Sequence, residues 1–424
     1  MAKNNSVITL LGSSGGVGKA VLALLDRVVQ DEHAPLHKEL ANGKIHCVDL
    51  KPQQPDEIKA YYPRLEGRLE FHQFDLQDAG NFKLHLMQTS TRLVIDASWA
   101  DTLSMLECCN ELAVAYVNTA LESTEVDELT ELEGFTLIER YRRLKEKKHS
   151  YSGLQAIIGS GMNPGVVQWM AISLMKEQPD KLPLACYIVE TDDSFYADRT
   201  LLKPKTVYST WSPECYLDEA ILNYPMFVNH HRALFLYEPV YAQTFYVRLG
   251  QLCFEGCLMP HEEVLSLGER YPFEIGFLYK VNEVTTEILH DHLGNPDELW
   301  DWNHQLLDPR DAELEGSDLV GVLLVYEDHE RYLYNVIQNK EIFDSYGTNA
   351  TYFQVACGLY GGICTLLLEA MPNGVHWVDE LSDAELTAYG NYVAYFMKPF
   401  ILGTNAGTDG LLLQRMRTAD ESNH

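Results

Sequence analysis

A glycine-rich loop at the start of the chain constrains its fold more than any other feature. The loop, residues 11–18, follows an apolar run at residues 7–11 that is typical of a buried strand. It leads directly into a helical pattern at residues 17–29. A strand, a glycine loop and a helix in this order are typical of the phosphate-binding unit of dinucleotide-binding proteins.

The spacing of the glycines explains how such a loop would bind a pyrophosphate. Gly12 permits a tight turn, and Gly15 and Gly16 let the backbone approach the phosphates closely. Gly18 allows the helix to pack closely on the strand. Free N–H groups and the helix dipole favour an anion at the helix N-terminus. The predicted cofactor contacts in the loop are Gly12, Ser14, Gly15, Gly16, Val17 and Gly18.

The first third of the chain alternates short apolar runs with helical patterns. Strands are predicted at 45–50, 69–76, 93–97, 116–119 and 155–158, and helices at 103–112 and 137–148. Buried strands joined by helices predict a doubly wound parallel sheet, the Rossmann arrangement. The fold class is therefore α/β.

Acidic and hydroxyl residues at the predicted strand ends extend this cofactor site. Asp49 ends the second strand, where a carboxylate accepts hydrogen bonds from the adenine ribose and favours NAD over NADP. Lys51 opposes that preference, and an ordinary Asp at the end of a strand is the alternative interpretation. We also expect Asp75 and Ser98, after the third and fourth strands, to contact NAD.

The pattern changes after the sixth predicted strand. A helix is predicted at 163–176 with Pro164 in its first turn. Strands follow at 185–190, 243–249, 321–326 and 332–337, the last two forming a hairpin around 327–331. Helices are predicted at 350–370 and 380–400, and a disordered tail from Thr418.

These patterns predict three segments. Residues 1–160 form a Rossmann domain that binds NAD, and residues 161–348 form an α+β domain for substrate binding and dimerisation. Residues 349–424 form C-terminal helices that pack back on the Rossmann domain.

The chain carries 32 basic and 62 acidic residues, a net charge of -30. This charge argues against nucleic acid, whose binding requires Lys and Arg at phosphates. It is compatible with a cationic substrate, and equally with a role in solubility alone.

Further composition features bear on location and metals. No apolar stretch of about 18 residues and no signal peptide are recognised, and nine scattered cysteines are typical of reduced thiols. We therefore expect a cytoplasmic protein without a membrane partner. No metal site is predicted, because Cys253 and Cys257 lack a second ligand pair and 290–292 is interpreted as a surface loop.

The segment Gly161-Met162-Asn163-Pro164-Gly165-Val166-Val167-Gln168-Trp169 resembles the G-x-N-P-G-x-V-x-W segment of bacterial homospermidine synthases, relatives of saccharopine dehydrogenase. The resemblance continues at 189–192, 209–212, 282–283, 320–324, 349–351 and 371–374. It implies an enzyme in which bound NAD oxidises putrescine, the imine exchanges its amine for a second putrescine, and the new imine is reduced. It also implies a homodimer.

The same resemblance implies the site residues. Glu190 and Glu283 would bind or deprotonate a small cationic amine, Trp211 would offer it a π-face beside the nicotinamide, and Asn163 would line the pocket and contact NAD. The residue types fit, because an alkylamine must lose a proton before hydride loss and Trp is the best π-face for a cation. Alternatively, Trp211 is a core aromatic and the two glutamates are surface residues.

Two departures from the family pattern leave other functions open. Val281 stands where the family commonly has His, and most of the family's insertion between Glu283 and residue 320 is missing. A saccharopine- or opine-type NAD(P)-dependent dehydrogenase would need a basic residue for a substrate carboxylate, such as Arg199, Lys203 or Lys205. A non-catalytic NAD sensor is the third alternative.

Overall fold

The computed structural model describes residues 6–53 and 55–418 of the 424-residue chain. The chain folds into two compact units. The first consists of Met1–Thr130, Ile138–Val166 and Tyr352–Met397, and the second of Glu131–Leu137, Val167–Thr351 and Lys398–His424.

The strands of the described residues, in chain order, are β1 (Val7–Leu11), β2 (Lys44–Asp49), β3 (Leu69–Gln73), β4 (Leu93–Asp96), β5 (Ala115–Asn118), β6 (Gln155–Ile158), β7 (Ala185–Asp192), β8 (Phe195–Tyr196), β9 (Thr206–Ser209), β10 (Met226–Asn229), β11 (Arg232–Phe235), β12 (Gln243–Leu249), β13 (Leu252–Met259), β14 (Glu274–Lys280), β15 (Asn303–Leu306), β16 (Leu314–Glu315), β17 (Ser317–Val325), β18 (His329–Gln338), β19 (Gly374–Trp377), β20 (Phe400–Ala406) and β21 (Met416–Thr418).

The α-helices of the described residues are α1 (Gly16–Gln30), α2 (His37–Leu40), α3 (Pro55–Tyr61), α4 (Ala79–Thr89), α5 (Thr102–Leu112), α6 (Thr124–Asp127), α7 (Thr136–Lys147), α8 (Val166–Lys176), α9 (Pro213–Leu217), α10 (Glu262–Arg270), α11 (Glu283–Asp291), α12 (Asn339–Tyr346), α13 (Ala350–Leu368), α14 (Asp383–Phe396) and α15 (Leu412–Arg415).

The first unit is built on a parallel sheet. Within the described residues its strand order is β19-β6-β5-β4-β1-β2-β3, and every pair in it is parallel. Side chains cap its helices, as where Asp78 accepts the N–H of Asn81 at 3.0 Å at the start of α4. The predicted α/β fold class with a doubly wound N-terminal sheet is confirmed.

The second unit contains a mixed sheet. In the described residues the order is β20-β18-β17-β7-β14-β13-β12-β21, with β10 pairing β14 and β11 at one side. β7 lies in its middle, parallel to β14 and antiparallel to β17. One core cluster on this sheet includes Tyr187, Val189, Leu278 and Leu323. The predicted second α+β domain is confirmed.

The predicted helix over 163–176 is wrong at its start, because the helix begins at Val166. The Asn163–Pro164 peptide bond is cis, and Gly165 has a φ of +129°. The N–H of Gly161 donates to the Pro164 oxygen at 2.8 Å, and the N–H of Val166 donates to the Gly161 oxygen at 3.1 Å. This closed turn, rather than a first helical turn, contains Pro164.

Of two other local predictions, the hairpin is confirmed and the surface loop is wrong. The hairpin is confirmed, since β17 and β18 are antiparallel and the N–H of Tyr326 donates to the His329 oxygen at 2.9 Å. The prediction of a surface loop at 290–292 is wrong, because helix α11 continues to Asp291. Strand β19, parallel to β6, has no counterpart among the strands that the sequence predicts.

The C-terminal segment is divided between the two units. Residues 352–397 belong to the first, whereas β20 pairs with β18 and β21 with β12 in the second. Helix α13 is long and apolar enough to cross a membrane, but 83% of its most apolar 18-residue window is buried within the protein. Strand β21 extends to Thr418, and the rest of the tail predicted as disordered lies outside the described residues.

Candidate active site

The glycine loop of the first unit is packed backbone against backbone. Gly12 has a φ of +70°, and its N–H donates to the Val48 oxygen at 3.0 Å. A Cβ atom on Gly12 would lie 2.3 Å from the Ala97 oxygen, and one on Gly18 would lie 2.4 Å from the Gly12 oxygen. Both positions therefore admit only glycine without movement of the backbone.

The start of α1 is open to an anion. Gly15 precedes the helix in an extended conformation, with no side-chain cap from the described residues and no acid in the first turn. The first N–H groups of the helix therefore keep their capacity for a phosphate. A Cβ on Gly16 would lie 2.0 Å from the ring of Tyr352, so this tyrosine packs on the loop. No sequence pattern points to Tyr352, because it lies more than 300 residues away along the chain.

Asp49 is held at the end of β2 by the loop itself. It is 8% exposed, and its carboxylate accepts the N–H of Ser14 at 2.8 Å and the N–H of Lys51 at 3.0 Å. A carboxylate has about four acceptor positions, so two remain after these bonds. The geometry fits a ribose hydroxyl as a further donor.

The other two predicted strand-end residues differ in their surroundings. Ser98 lies beside the loop, since its Cα is 3.0 Å from the Cβ position of Gly12, and its hydroxyl donates to Asp96 at 2.6 Å. Burial raises the pKa of Asp96. Asp75 is exposed beyond β3, where it accepts the N–H of Gln77 at 2.9 Å. The loop, Asp49 and Ser98 thus lie together at the carboxyl ends of neighbouring strands, and Asp75 lies at the adjacent edge.

The central feature of the second unit is a set of buried acids on its sheet. Glu190 and Asp192 alternate along β7 and so point to the same face. Asp318 on β17 is directly opposite Asp192, and Tyr279 on β14 is directly beside Glu190. We call Glu190, Asp192 and Asp318 the acidic cluster; they are 5%, 1% and 0% exposed.

Burial raises the pKa values of two members of the acidic cluster, Asp192 and Asp318. Burial raises the pKa of Asp192 to about 6. Burial, and then the charges of Glu190 and Asp192, raise the pKa of Asp318. The hydroxyl of Thr210 donates to Asp192 at 2.5 Å and that of Thr351 to Asp318 at 2.7 Å. These bonds do not cancel the cost of burying the negative charges, which a bound cation would offset.

Aromatic side chains adjoin the acidic cluster. The indole N–H of half-buried Trp211, just after β9, donates to the Tyr279 hydroxyl at 3.4 Å. The rings of Trp211 and Tyr216 are 6.0 Å apart at 84°. Burial, and then the charge of Glu190, raise the pKa of Tyr279. Trp211 and Glu190, both predicted site residues, therefore share Tyr279 as a neighbour.

Two predicted site residues lie elsewhere. Glu283 is exposed at the first position of α11, outside the buried acidic cluster. Its neighbour Asn282 is buried and caps α11 by accepting the N–H of Thr285 at 3.0 Å. Asn163 is half-buried in the turn before α8 and belongs to the first unit. Val281, in place of the family His, is 1% exposed.

A second group of buried acids in the second unit surrounds His261. Its Nδ1 contacts Glu263, and its Nε2 is 3.8 Å from Glu219. Burial alone would lower the pKa of His261, but Glu263 and Glu219 hold it well above its usual range. Burial raises the pKa of Glu219 to about 8. This arrangement fits an imidazolium whose Nδ1 faces Glu263 and whose Nε2 faces the carboxyl group of Glu219.

Comparisons with known proteins agree with this architecture. Residues 8–151 match the family model described as Saccharopine dehydrogenase NADP binding domain. The chain is similar in fold to apo saccharopine dehydrogenase (L-Glu forming) from Saccharomyces cerevisiae, with 11% identity, a TM-score of 0.57, and coverage of 94% of this chain and 100% of that one. At this identity the structural match shows the fold alone.

Weaker matches include two UDP-glucose 4-epimerases. The match to the Bifidobacterium longum enzyme covers 36% of this chain and 52% of that chain, at 11% identity and with a TM-score of 0.26. The match to the Stenotrophomonas maltophila enzyme covers 46% of this chain and 67% of that chain, also at 11% identity and with a TM-score of 0.26. No curated protein matches the chain in sequence.

The family match over residues 8–151 shows that the first unit contains a nicotinamide-dinucleotide-binding domain, which confirms the predicted class of cofactor.

Proposed function

We propose that this protein is an NAD-dependent enzyme of the saccharopine dehydrogenase type that acts on a small cationic amine in the manner of a homospermidine synthase. The observation that carries the proposal is the buried acidic cluster of Glu190, Asp192 and Asp318, with Tyr279 and Trp211 at its side. Such a set of groups matches an ammonium substrate.

Electrostatics favour a cation at the acidic cluster over an anion or a neutral ligand. An isolated buried charge is costly, and neighbouring carboxylates raise one another's pKa, as in Asp318. An ammonium group would pair with the carboxylates and lower their pKa values again. Trp211 adds a π-face, worth about 1–2 kcal/mol for a desolvated cation.

The acidic cluster also offers a base for the chemistry. A free alkylamine has a pKa of about 10.4, so it enters as an ammonium and must lose a proton before its carbon loses hydride. Glu190 would accept that proton, and Asp192 and Asp318 would hold the distal ammonium of a diamine. Bound NAD would supply the hydride acceptor and, after amine exchange, the hydride donor.

In the proposed reaction, putrescine loses a hydride and a proton to become an imine. A second putrescine adds to the imine carbon and ammonia leaves, which gives a secondary imine. Return of the hydride and a proton gives the secondary amine. Two putrescines thus give homospermidine and ammonia with no net change in NAD.

We further propose that NAD is preferred over NADP. The proposal rests on Asp49, whose nearly buried carboxylate lies at the end of β2 and is bonded to the loop through Ser14. A 2′-phosphate beside this carboxylate would be repelled.

The basic residues that would favour an amino-acid dehydrogenase are on the surface. Arg199 donates to Glu315 at 2.8 Å, and the Lys205 side chain is 71% exposed. Lys203 is also exposed. A substrate carboxylate would therefore lack a buried basic partner among these three, so we favour an amine without one.

The test is to incubate the purified protein with NAD and a panel of diamines, monoamines and amino acids. Mass spectrometry follows the products, and near-ultraviolet absorbance follows NADH. Putrescine should give homospermidine without net NADH. Steady NADH formation would favour the ordinary dehydrogenase, and no reaction with any substrate would favour the sensor.

A variant pair ties the reaction to the acidic cluster. Glu190→Gln keeps the shape and removes the charge, so turnover should fall at least about 100-fold, a size typical of losing a general base. Glu238→Gln makes the same change at an exposed glutamate of the second unit and should turn over normally. Equal activity of the two variants would refute the assignment.

A further inference from the structure

We propose that His46, Glu70 and His72, a histidine cluster on the sheet of the first unit, bind a divalent transition-metal ion such as Zn²⁺. Nothing in the dinucleotide loop or the acidic cluster takes part in this site. The inference stands on the first unit alone and does not depend on the proposed reaction.

Strand register brings the three side chains of the histidine cluster together. β2 and β3 are parallel, and His46 is the register partner of Glu70. Glu70 and His72 are two residues apart on β3, so both point to the face that His46 occupies. The site lies about 10 Å along β2 from Asp49, at about 3.3 Å per residue, and is thus separate from the strand end.

The donor atoms have the spacing that a metal requires. His46 Nδ1 is 2.9 Å from His72 Nε2 and 3.6 Å from Glu70 Oε2. All three donor atoms lie within 4.8 Å of one another. Tetrahedral zinc with bonds of about 2.0–2.1 Å places its ligands about 3.3 Å apart, between the two distances in the cluster. Two imidazoles and a carboxylate also form a common ligand set for such ions.

The protonation state of the histidines suits a metal, which binds the neutral imidazole. Burial lowers the pKa of His46, against a raising effect of Glu70, and burial also lowers the pKa of His72. Both rings therefore carry a free electron pair at neutral pH. Without a metal, one ring donates its N–H to the other across the 2.9 Å contact between them.

Two neighbouring side chains bear on metal binding by the histidine cluster: His85, which packs on it, and Lys44, which carries a positive charge. His85 on α4 lies with its ring 4.6 Å from that of His72, and its Nε2 is 3.2 Å from the Thr9 hydroxyl. Lys44 pairs with Glu70 Oε1 at 3.0 Å, while Oε2 faces His46. The ammonium of Lys44 opposes a nearby cation, so its removal should strengthen metal binding.

The experiment is calorimetric titration of Zn²⁺ into untagged, chelator-treated protein carrying Cys253→Ser, which removes the exposed cysteine. We expect about one ion per chain. His72→Gln should weaken binding at least tenfold, whereas His230→Gln, at an exposed histidine of the second unit, should leave it unchanged. Lys44→Ala should bind several-fold more tightly, because it removes a competing cation.

A spectroscopic measurement guards against binding elsewhere and against misfolding. Co²⁺ in the site should give visible d–d bands without thiolate charge-transfer absorption, and His72→Gln should lose them while keeping its circular dichroism. The proposal is overturned if the wild type binds no Zn²⁺ up to millimolar concentration. It is also overturned if folded His72→Gln binds as well as the parent, or if Co²⁺ shows thiolate ligands.

Discussion

Replacing Gly18 with alanine should weaken dinucleotide binding, because the added Cβ would meet backbone atoms that cannot rotate away. It would lie 2.4 Å from the Gly12 oxygen and 2.8 Å from the Ser13 Cα. An ordinary carbon–oxygen contact is about 3.3 Å, so the loop would have to move by nearly 1 Å. Gly12 cannot retreat freely, since its own Cβ position is 2.3 Å from the Ala97 oxygen.

The size of the effect follows from the contacts such a movement would break. A hydrogen bond to a charged group contributes about 1.5–3 kcal/mol, and every 1.4 kcal/mol is about tenfold in affinity. Loss of one phosphate contact at α1 should therefore weaken NAD binding by about 10- to 100-fold. Overpacking should also destabilise the first unit by about 1–3 kcal/mol.

Calorimetric titration with NAD measures the affinity, and thermal unfolding measures the stability. Gly294→Ala is the matched control, because a Cβ at Gly294 has no atom within 4 Å among the described residues. Normal NAD affinity in a folded Gly18→Ala variant would refute the assignment of this loop as the phosphate site. Equal losses in both variants would refute the packing argument.

Three further changes should have measurable results. Asp49→Ala should reduce the ratio of NAD to NADP affinity; a wild type that prefers NADP would contradict the ribose role of Asp49. Trp211→Ala should impair amine turnover much more than Trp211→Phe, which keeps a π-face, and equal losses would argue against a cation–π contact. The Glu219 carboxyl, with a folded pKa of about 8 against about 4.3 when unfolded, keeps a proton that the unfolded chain releases. Stability should therefore fall as pH rises from about 4.5 to 8, and Glu219→Gln should flatten the fall in thermal unfolding midpoints; an unchanged slope would contradict the raised pKa.

The parallel sheet of the first unit could be predicted because most of its strands are short, largely apolar runs bounded by turns or helices. Its seventh strand, Gly374–Trp377, could not be predicted, because it lies more than 200 residues beyond its partner β6 along the chain. The sequence predicts a helix start at the Asn163–Gly165 turn, because Pro is favoured in the first turn of a helix. Its backbone is instead fixed by bonds between Gly161 and residues 164 and 166.

The residues of the candidate sites could also be predicted only in part from the sequence. Glu190 and Trp211 could be named from segments that resemble a family, but their partners depend on strand register. Asp192 meets Asp318 only because β7 and β17 are antiparallel in one register. A shift of one residue would send the side chains of one strand to the other face. Likewise, the histidine cluster depends on the pairing of β2 with β3, which sequence spacing alone does not reveal.

Transfer of deuterium from substrate to cofactor tests the central claim most directly. The protein saturated with NAD is mixed with a limiting amount of putrescine deuterated at its nitrogen-bearing carbons, and the nicotinamide is analysed by mass spectrometry. Reduced cofactor carrying deuterium should appear, and added excess putrescine should convert it back to NAD as deuterated homospermidine forms. Absence of deuterium from the nicotinamide, with putrescine and with every other amine or amino acid tried, would contradict the proposal that this protein oxidises an amine.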